Sequence, residues 1–87
     1  YLEAADDYVK IHTAEGYFLK NKTMAHFEQS LDEHLFVRSH RSYIINIQQI
    51  TRIDPYEKDG HVAVLRTGAK VPVSRSGYSK LKDVLGL

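Results

Sequence analysis

The stretch Phe36-Val37-Arg38-Ser39-His40-Arg41-Ser42-Tyr43-Ile44-Ile45-Asn46 constrains the fold more than any other part of this sequence. Tyr43, Ile44 and Ile45 form a short apolar run, the pattern of a buried strand. The residues before it, Arg38 to Ser42, all carry hydrogen-bond donors, and Arg38 and Arg41 add fixed positive charge. A chain that buries one half of this segment must leave the other half at the rim of its sheet. A donor-rich loop on a buried strand holds arginines rigidly against an anion. The planar guanidinium fork suits phosphate oxygens and the O6/N7 edge of guanine.

The flanking segments continue the β pattern. Tyr8 to Thr13 alternates, with Val9 and Ile11 on one face and Tyr8, Lys10 and His12 on the other. Ala14-Glu15-Gly16 is a turn, and Tyr17 to Lys20 returns as its hairpin partner. Thr23 is an N-cap for a helix whose apolar stripe is Met24, Phe27, Leu31 and Leu35. Glu28, Gln29, Asp32 and Glu33 lie off that stripe, so this helix presents an acidic face unsuited to lying on DNA and reads as scaffold. Ile44, Ile45, Ile47, Ile50 and Ile53 belong to the core, and Asp54-Pro55 ends their run. Asp59-Gly60 is a hairpin signal, followed by strands over 61–67 and 70–74 around Thr67-Gly68. Pro72 cannot donate to a ladder, which puts its strand at an edge. The end, Ser76 to Leu85, reads as a short helix with Tyr78, Leu81, Val84 and Leu85 as its stripe and Gly86 as its stop. The expected fold is mainly β with two short helices.

Eighty-seven residues make one domain, able to bury roughly 60–65% of the unfolded chain's surface. The chain starts at Tyr1 rather than Met, and residues 1–5 read as the end of a strand, so a segment of a longer protein is expected. There is no cysteine, which excludes disulfide and thiol chemistry. No apolar run approaches the ~18 residues of a membrane span, and no basic-then-apolar leader is present. The expected compartment is the cytoplasm. Net charge is only +1, but it is segregated. No carboxylate lies between Glu33 and Asp54, where Arg38, Arg41 and Arg52 stand. None lies between Asp59 and Asp83, where Arg66, Lys70, Arg75, Lys80 and Lys82 stand. Such segregation can make a basic face on a near-neutral domain.

Nothing in the sequence reads as an enzyme, a metal site or a cofactor site. There are five histidines but no H-E-x-x-H. His26 and His34, placed on one helix, would stand roughly 80° apart around its axis and about 12 Å along it, too far to share a metal. There is no G-x-S-x-G and no glycine-rich phosphate loop.

Three polar segments remain, each at a strand end where a loop can be aimed. They are Asp6-Asp7-Tyr8 with Lys10 and His12, then Arg38 to Ser42, then Ser74-Arg75-Ser76 with Lys80. Arginine, serine and helix N-terminal N–H groups are common phosphate donors. Ordinary scaffold roles compete at several positions. Tyr8 could pack on a strand neighbour, His40 could be a satisfied loop histidine, and Arg38 could pair with Glu33 or Asp32. Asn46 reads as a strand-end residue bonding backbone. Arg41 is harder to explain as scaffold, because nothing local needs its charge.

Taken in order, E-A-A-D-D-Y-V-K-I-H-T, F-V-R-S-H-R-S-Y-I-I-N and V-P-V-S-R resemble the LytTR DNA-binding domain across essentially the whole chain. The resemblance implies a mostly β DNA-binding fold of antiparallel sheets, whose loops enter successive major grooves on one face of bent double-stranded DNA. It implies the C-terminal output module of a bacterial two-component response regulator, with an upstream receiver domain and a sensor kinase as partners. Two copies on imperfect direct repeats are implied, with the family's opening strand partly missing here and an open sheet edge left behind. Carried over by position, base contacts would come from the Asp7-Tyr8 region, from Arg41, and from Arg75 or Ser76. Lys10, His12, Lys20, Lys22, Arg38, His40, Ser42 and Lys80 would contact the DNA backbone.

Two other readings stay open on the residues alone. One is a small β protein-interaction module whose Arg38–Arg41 loop docks an acidic partner. The other is a single-strand RNA platform using Tyr8, Tyr17 and Phe18 as stacking aromatics.

Overall fold

Ile44 and Ile45 are adjacent and both fully buried, which requires apolar cover on both faces of their strand. The computed structural model, which describes residues 1–87, provides that cover in three layers. The elements in chain order are β1 (Leu2–Ala5), β2 (Tyr8–Thr13), β3 (Gly16–Lys20), α1 (Met24–Ser30), β4 (Phe36–His40) and β5 (Tyr43–Asn46). A single 3-10 turn at Ile47–Gln49 leads to β6 (Ile50–Tyr56), β7 (Gly60–Leu65), β8 (Lys70–Val73) and α2 (Arg75–Leu85). One antiparallel sheet has the order β3-β2-β1-β5-β4, the other β6-β7-β8.

Ile44 packs with Leu2, Val9 and Met24 beneath α1. Ile45 packs on the opposite face with Val37 of the neighbouring β4 and with Ala63, Leu65, Val71, Val73 and Leu81, which belong to the second sheet and α2. The first sheet is therefore the middle layer at β4 and β5. The expected period-2 burial of β2 holds, with Val9 buried and Tyr8 exposed. β1 lies inside the sheet, paired to β2 and β5, so no open edge arises there. The uncovered edge is β3, all of whose residues are exposed, including Tyr17, Phe18 and Leu19.

The segment read as a donor-rich loop is strand β4 as far as His40, with Val37 and Ser39 buried and the strand paired against β5, so only Arg41-Ser42 form the turn. Three further element boundaries differ from the sequence reading. First, α1 starts at the expected cap, with Thr23 Oγ1 accepting from the His26 N–H at 3.0 Å, but stops at Ser30. The Ser30 hydroxyl donates to the His26 carbonyl at 2.7 Å, and the Asp32 carboxylate accepts the His34 N–H at 2.8 Å. Local side-chain bonds of this kind compete with helix continuation, so Leu35 and His34 lie beyond the helix. Second, the isoleucine run is cut at Asn46, whose side chain accepts the Gln48 N–H at 3.0 Å and turns the chain from one sheet to the other. Third, β6 continues through Asp54-Pro55 to Tyr56, because β6 is an edge strand and an edge tolerates proline. The edge position expected for Pro72 in β8 is observed.

Helix α2 is capped by Ser74, whose hydroxyl accepts the Gly77 N–H at 3.1 Å, and closed by Gly86 at φ 74°. It thus begins one residue before Ser76. Its buried positions are Gly77 and Leu81, while Val84 and Leu85, expected on the apolar stripe, are more than a third exposed in the last turn. The Tyr78 ring stacks on His61 of β7 with centroids 3.8 Å apart.

Candidate nucleic-acid interface

Strand direction gathers the three polar segments at one end of the first sheet. β1 runs antiparallel to β5, so the Asp6-Asp7 turn emerges beside the Arg41-Ser42 turn. The Ala4 N–H donates to the Ser42 carbonyl at 2.8 Å and ties these two turns together. Asp6 holds a left-handed φ of 55°, a conformation aspartate tolerates better than most residues. Val9 is in register with Lys20, so Lys20 and Lys22 leave β3 at this same end. Tyr8, Asp7 and Lys22 line a shallow depression with Thr23.

The third segment is brought in by Ser39. Its side chain is fully buried and its hydroxyl donates to the Pro72 carbonyl at 3.0 Å. Its carbonyl accepts the Ser74 N–H at 2.7 Å and the Ser74 hydroxyl at 3.3 Å. Ser39 therefore welds β4 to β8 and to the start of α2. A Cβ on Gly77 would lie 1.8 Å from the Ser39 carbonyl oxygen, so α2 can sit this close only with glycine there. The sequence reading counted Ser39 among the exposed donors. The structure makes it the buried link that sets where the others stand, and Gly77 was missed altogether.

The result is an open, wholly polar cleft of about 500 Å³ lined by Glu28, Arg38, His40, Arg41, Ser74, Ser76 and Lys80. Arg41 is exposed at the turn, and its guanidinium has neither an ion pair nor a hydrogen bond. Its carbonyl is held instead, accepting from Arg38 Nη2 at 2.6 Å and Nε at 3.3 Å. The remaining arm of Arg38, Nη1, reaches Glu28 Oε1 at 3.0 Å. This corrects the expected pairing with Glu33 or Asp32: both lie past the end of α1, while Glu28 is still on the helix. Lys80 Nζ lies 3.9 Å from the other Glu28 oxygen. His40 Nδ1 accepts the Ser42 N–H at 3.1 Å, so a neutral His40 carries its proton on Nε2.

Arg75 and Ser76 separate here. Ser76 lines the cleft with Arg41. Arg75 points toward the β6–β7 turn, where Nη2 meets Asp59 at 3.1 Å with side chains 80% and 71% exposed. An ion pair this open contributes little and yields easily to another anion.

His12 is not brought to this end. It lies four residues along β2 from Tyr8, about 13 Å away at strand spacing. There it bonds Glu3 Oε1 through Nε2 at 2.9 Å and stacks under Tyr1 with centroids 4.2 Å apart. Lys10 lies between, its ammonium over the Tyr17 ring at 4.5 Å. Glu3 also accepts from the Tyr43 hydroxyl at 3.3 Å. Burial, and then the adjacent Glu3 charge, push the Tyr43 hydroxyl above its usual pKa. Asn46 is scaffold, as read from the sequence.

No group of three or more acidic or histidine side chains is placed to hold a metal ion. No helix is long and apolar enough to cross a membrane.

Comparison with known proteins agrees with this architecture. Residues 1–86 match the family model of the LytTr DNA-binding domain. The chain is 34% identical over 85 residues to the sensory transduction protein LytT of Bacillus anthracis, covering 98% of this chain and 35% of that protein. It is 35% identical over 89 aligned residues to the CO-responsive transcriptional regulator RcoM of Rhodospirillum rubrum, covering 100% of this chain and 37% of that one. The chain thus spans about a third of the length of these curated relatives. A solved LytTr DNA-binding domain of a putative methyl-accepting/DNA response regulator from Bacillus cereus superposes with a TM-score of 0.89 at 31% identity. That match covers 99% of this chain and 79% of the other. The expected mostly β, antiparallel fold with two helices is the observed one, and the chain belongs to the LytTR family of DNA-binding domains.

Proposed function

We propose that this domain reads double-stranded DNA with the end of the molecule that carries the Asp6-Asp7, Arg41-Ser42 and Ser74-Arg75-Ser76 segments. It would serve as the output module of a bacterial, cytoplasmic transcription regulator. The observation that carries this reading is the Arg41 guanidinium. It is exposed and unpartnered, yet its carbonyl is gripped by Arg38 and the strand that follows the turn carries the buried Ile44 and Ile45. An arginine prepared this way suits the bidentate edge of guanine, with about 1–3 kcal/mol of discrimination against a wrong base.

Tyr8 and one of Arg75 or Ser76 complete the base-reading set. Ser76 is favoured where the same groove faces the Arg41 cleft, and Arg75 where the adjacent backbone or groove faces Asp59. Lys20, Lys22, His40, Ser42 and Lys80 fix the domain on phosphates, with Lys10 further along β2, while His12 stays bonded to Glu3 away from this end. Phosphate contacts give affinity that falls steeply with salt, and base contacts give sequence preference. Two copies on a direct repeat, a receiver domain and a sensor kinase complete the proposed setting. The name of the LytT relative, a sensory transduction protein, supports it.

The test is selection from a random duplex library, run beside Arg41→Ala. Enrichment of a short motif by the wild type, lost in the variant with Lys80 contacts intact, supports Arg41 as a reader. A folded domain that enriches nothing would instead favour the basic loop as a dock for an acidic protein surface.

A further inference from the structure

Glu28 is the one carboxylate in a cleft otherwise lined by Arg38, His40, Arg41, two serines and Lys80. Its two oxygens are divided between two elements, with Oε1 on Arg38 at 3.0 Å and Oε2 near Lys80 at 3.9 Å. Through Arg38 it also acts on the reading turn, because the other two Arg38 donors hold the Arg41 carbonyl. The carboxylate therefore sits where a phosphate bridging Arg38 and Lys80 would sit. It is about two-fifths exposed (42%), so its ion pairs exchange readily.

We propose that Glu28 is a specificity-determining residue of this interface: an internal anion that opposes phosphate entry while orienting Arg41 through Arg38. This rests on the DNA-reading function proposed above. A duplex entering the cleft must displace Glu28 from Lys80 or lie beside its charge, whatever the base sequence. Only a duplex carrying the correct base gains the Arg41 contact that Glu28 helps to aim. Glu28 thus weakens random binding more than site binding. Glu28 is the one acid that α1 keeps, since Asp32 and Glu33 lie past the end of the helix, and it lines the cleft.

The experiment measures binding of wild type, Glu28→Gln and Glu15→Gln to two duplexes across a salt series. One duplex carries the motif enriched by selection, and the other is random sequence of equal length. Glu28→Gln removes the charge that opposes phosphate and leaves Arg38 only a weaker, neutral acceptor, so the hold on the Arg41 turn loosens as well. Glu15→Gln makes the same change in net charge on the β2–β3 turn, at the far end of the sheet. Expected is a gain of about 3–10-fold in random-duplex affinity for Glu28→Gln, with a salt slope steeper by about one counterion. Site affinity rises less, so the preference for the site narrows. The inference is overturned if Glu28→Gln matches Glu15→Gln, or if it shifts both duplexes by the same factor. It is also overturned if binding is unchanged. A wild type that prefers the site beside a neutral Glu28→Gln removes only this inference. A wild type with no preference removes the DNA-reading function as well.

Discussion

Single residues divide here by whether their polar groups are already occupied. Arg38 and Arg41 are three positions apart and look interchangeable as letters, yet one is spent on Glu28 and a backbone carbonyl and the other is free. Ser39, between them, is buried and bonded on both its hydroxyl and its carbonyl. The tightest position is Gly77. Gly77→Ala puts a methyl 1.8 Å from the Ser39 carbonyl, and backbone cannot be relieved by turning a rotamer. We expect a loss of about 3 kcal/mol or more, at the upper end of overpacking costs, seen as a lower urea midpoint. Tyr43 makes a second prediction. Its pKa is raised in the fold, by burial and then by Glu3. The folded state thus keeps its proton to higher pH than the unfolded chain, whose tyrosine titrates near 10.0. Stability is fully present below that value and declines as pH rises through the folded pKa. Urea midpoints measured from pH 8 to 11 should fall for the wild type and fall less for Tyr43→Phe.

At the scale of elements, α1 and α2 do different work. α1 is seven residues long and covers one face of the first sheet with Met24 and Phe27. α2 is welded at its start to β4 and β8, so its first two turns carry Ser76 and Lys80 into the cleft with Arg41. On the function proposed above, Lys80 would contribute charge without reading bases. Lys80→Ala should weaken site and random duplexes by the same factor and make the salt slope shallower by about one. A larger loss on the site duplex than on random DNA would make Lys80 part of base readout. The element boundaries show where sequence periodicity misleads. Met24, Phe27, Leu31 and Leu35 keep helical spacing, but Ser30 and Asp32 form local bonds that end the helix early. The Ile44–Ile53 run has the composition of one strand and is two, because Asn46 caps a turn in its middle.

Over the whole molecule, the three layers put the Asp6-Asp7, Arg41-Ser42 and Ser74-Arg75-Ser76 segments at one end, although they lie more than thirty residues apart in sequence. Alternation along β2, the Thr23 cap, Pro72 at an edge and the Gly86 stop were all legible, because each depends on a residue and its near neighbours; the hairpin signalled by Asp59-Gly60 forms too, with its turn at Glu57 to Asp59 and Gly60 already in β7. The identity of Arg41 as an unpaired charge was legible for the same reason. The partners of the site were not. Glu28 meets Arg38 and Lys80 only because α1 and α2 flank the same strand end. Ser39 is buried only because β8 and α2 close over β4. His12 shares a strand face with Tyr8 but is drawn off to Glu3 and Tyr1 at the other end. The sequence by itself determined most of the strands and turns, since backbone preference and period act over a few residues; that Arg38 to His40 form β4 and leave only Arg41-Ser42 in the turn was decided by pairing with β5. Only the tertiary structure decided which donors are spent and which are free, since a hydrogen bond or ion pair needs a partner within about 3 Å and most of these partners are distant in the chain.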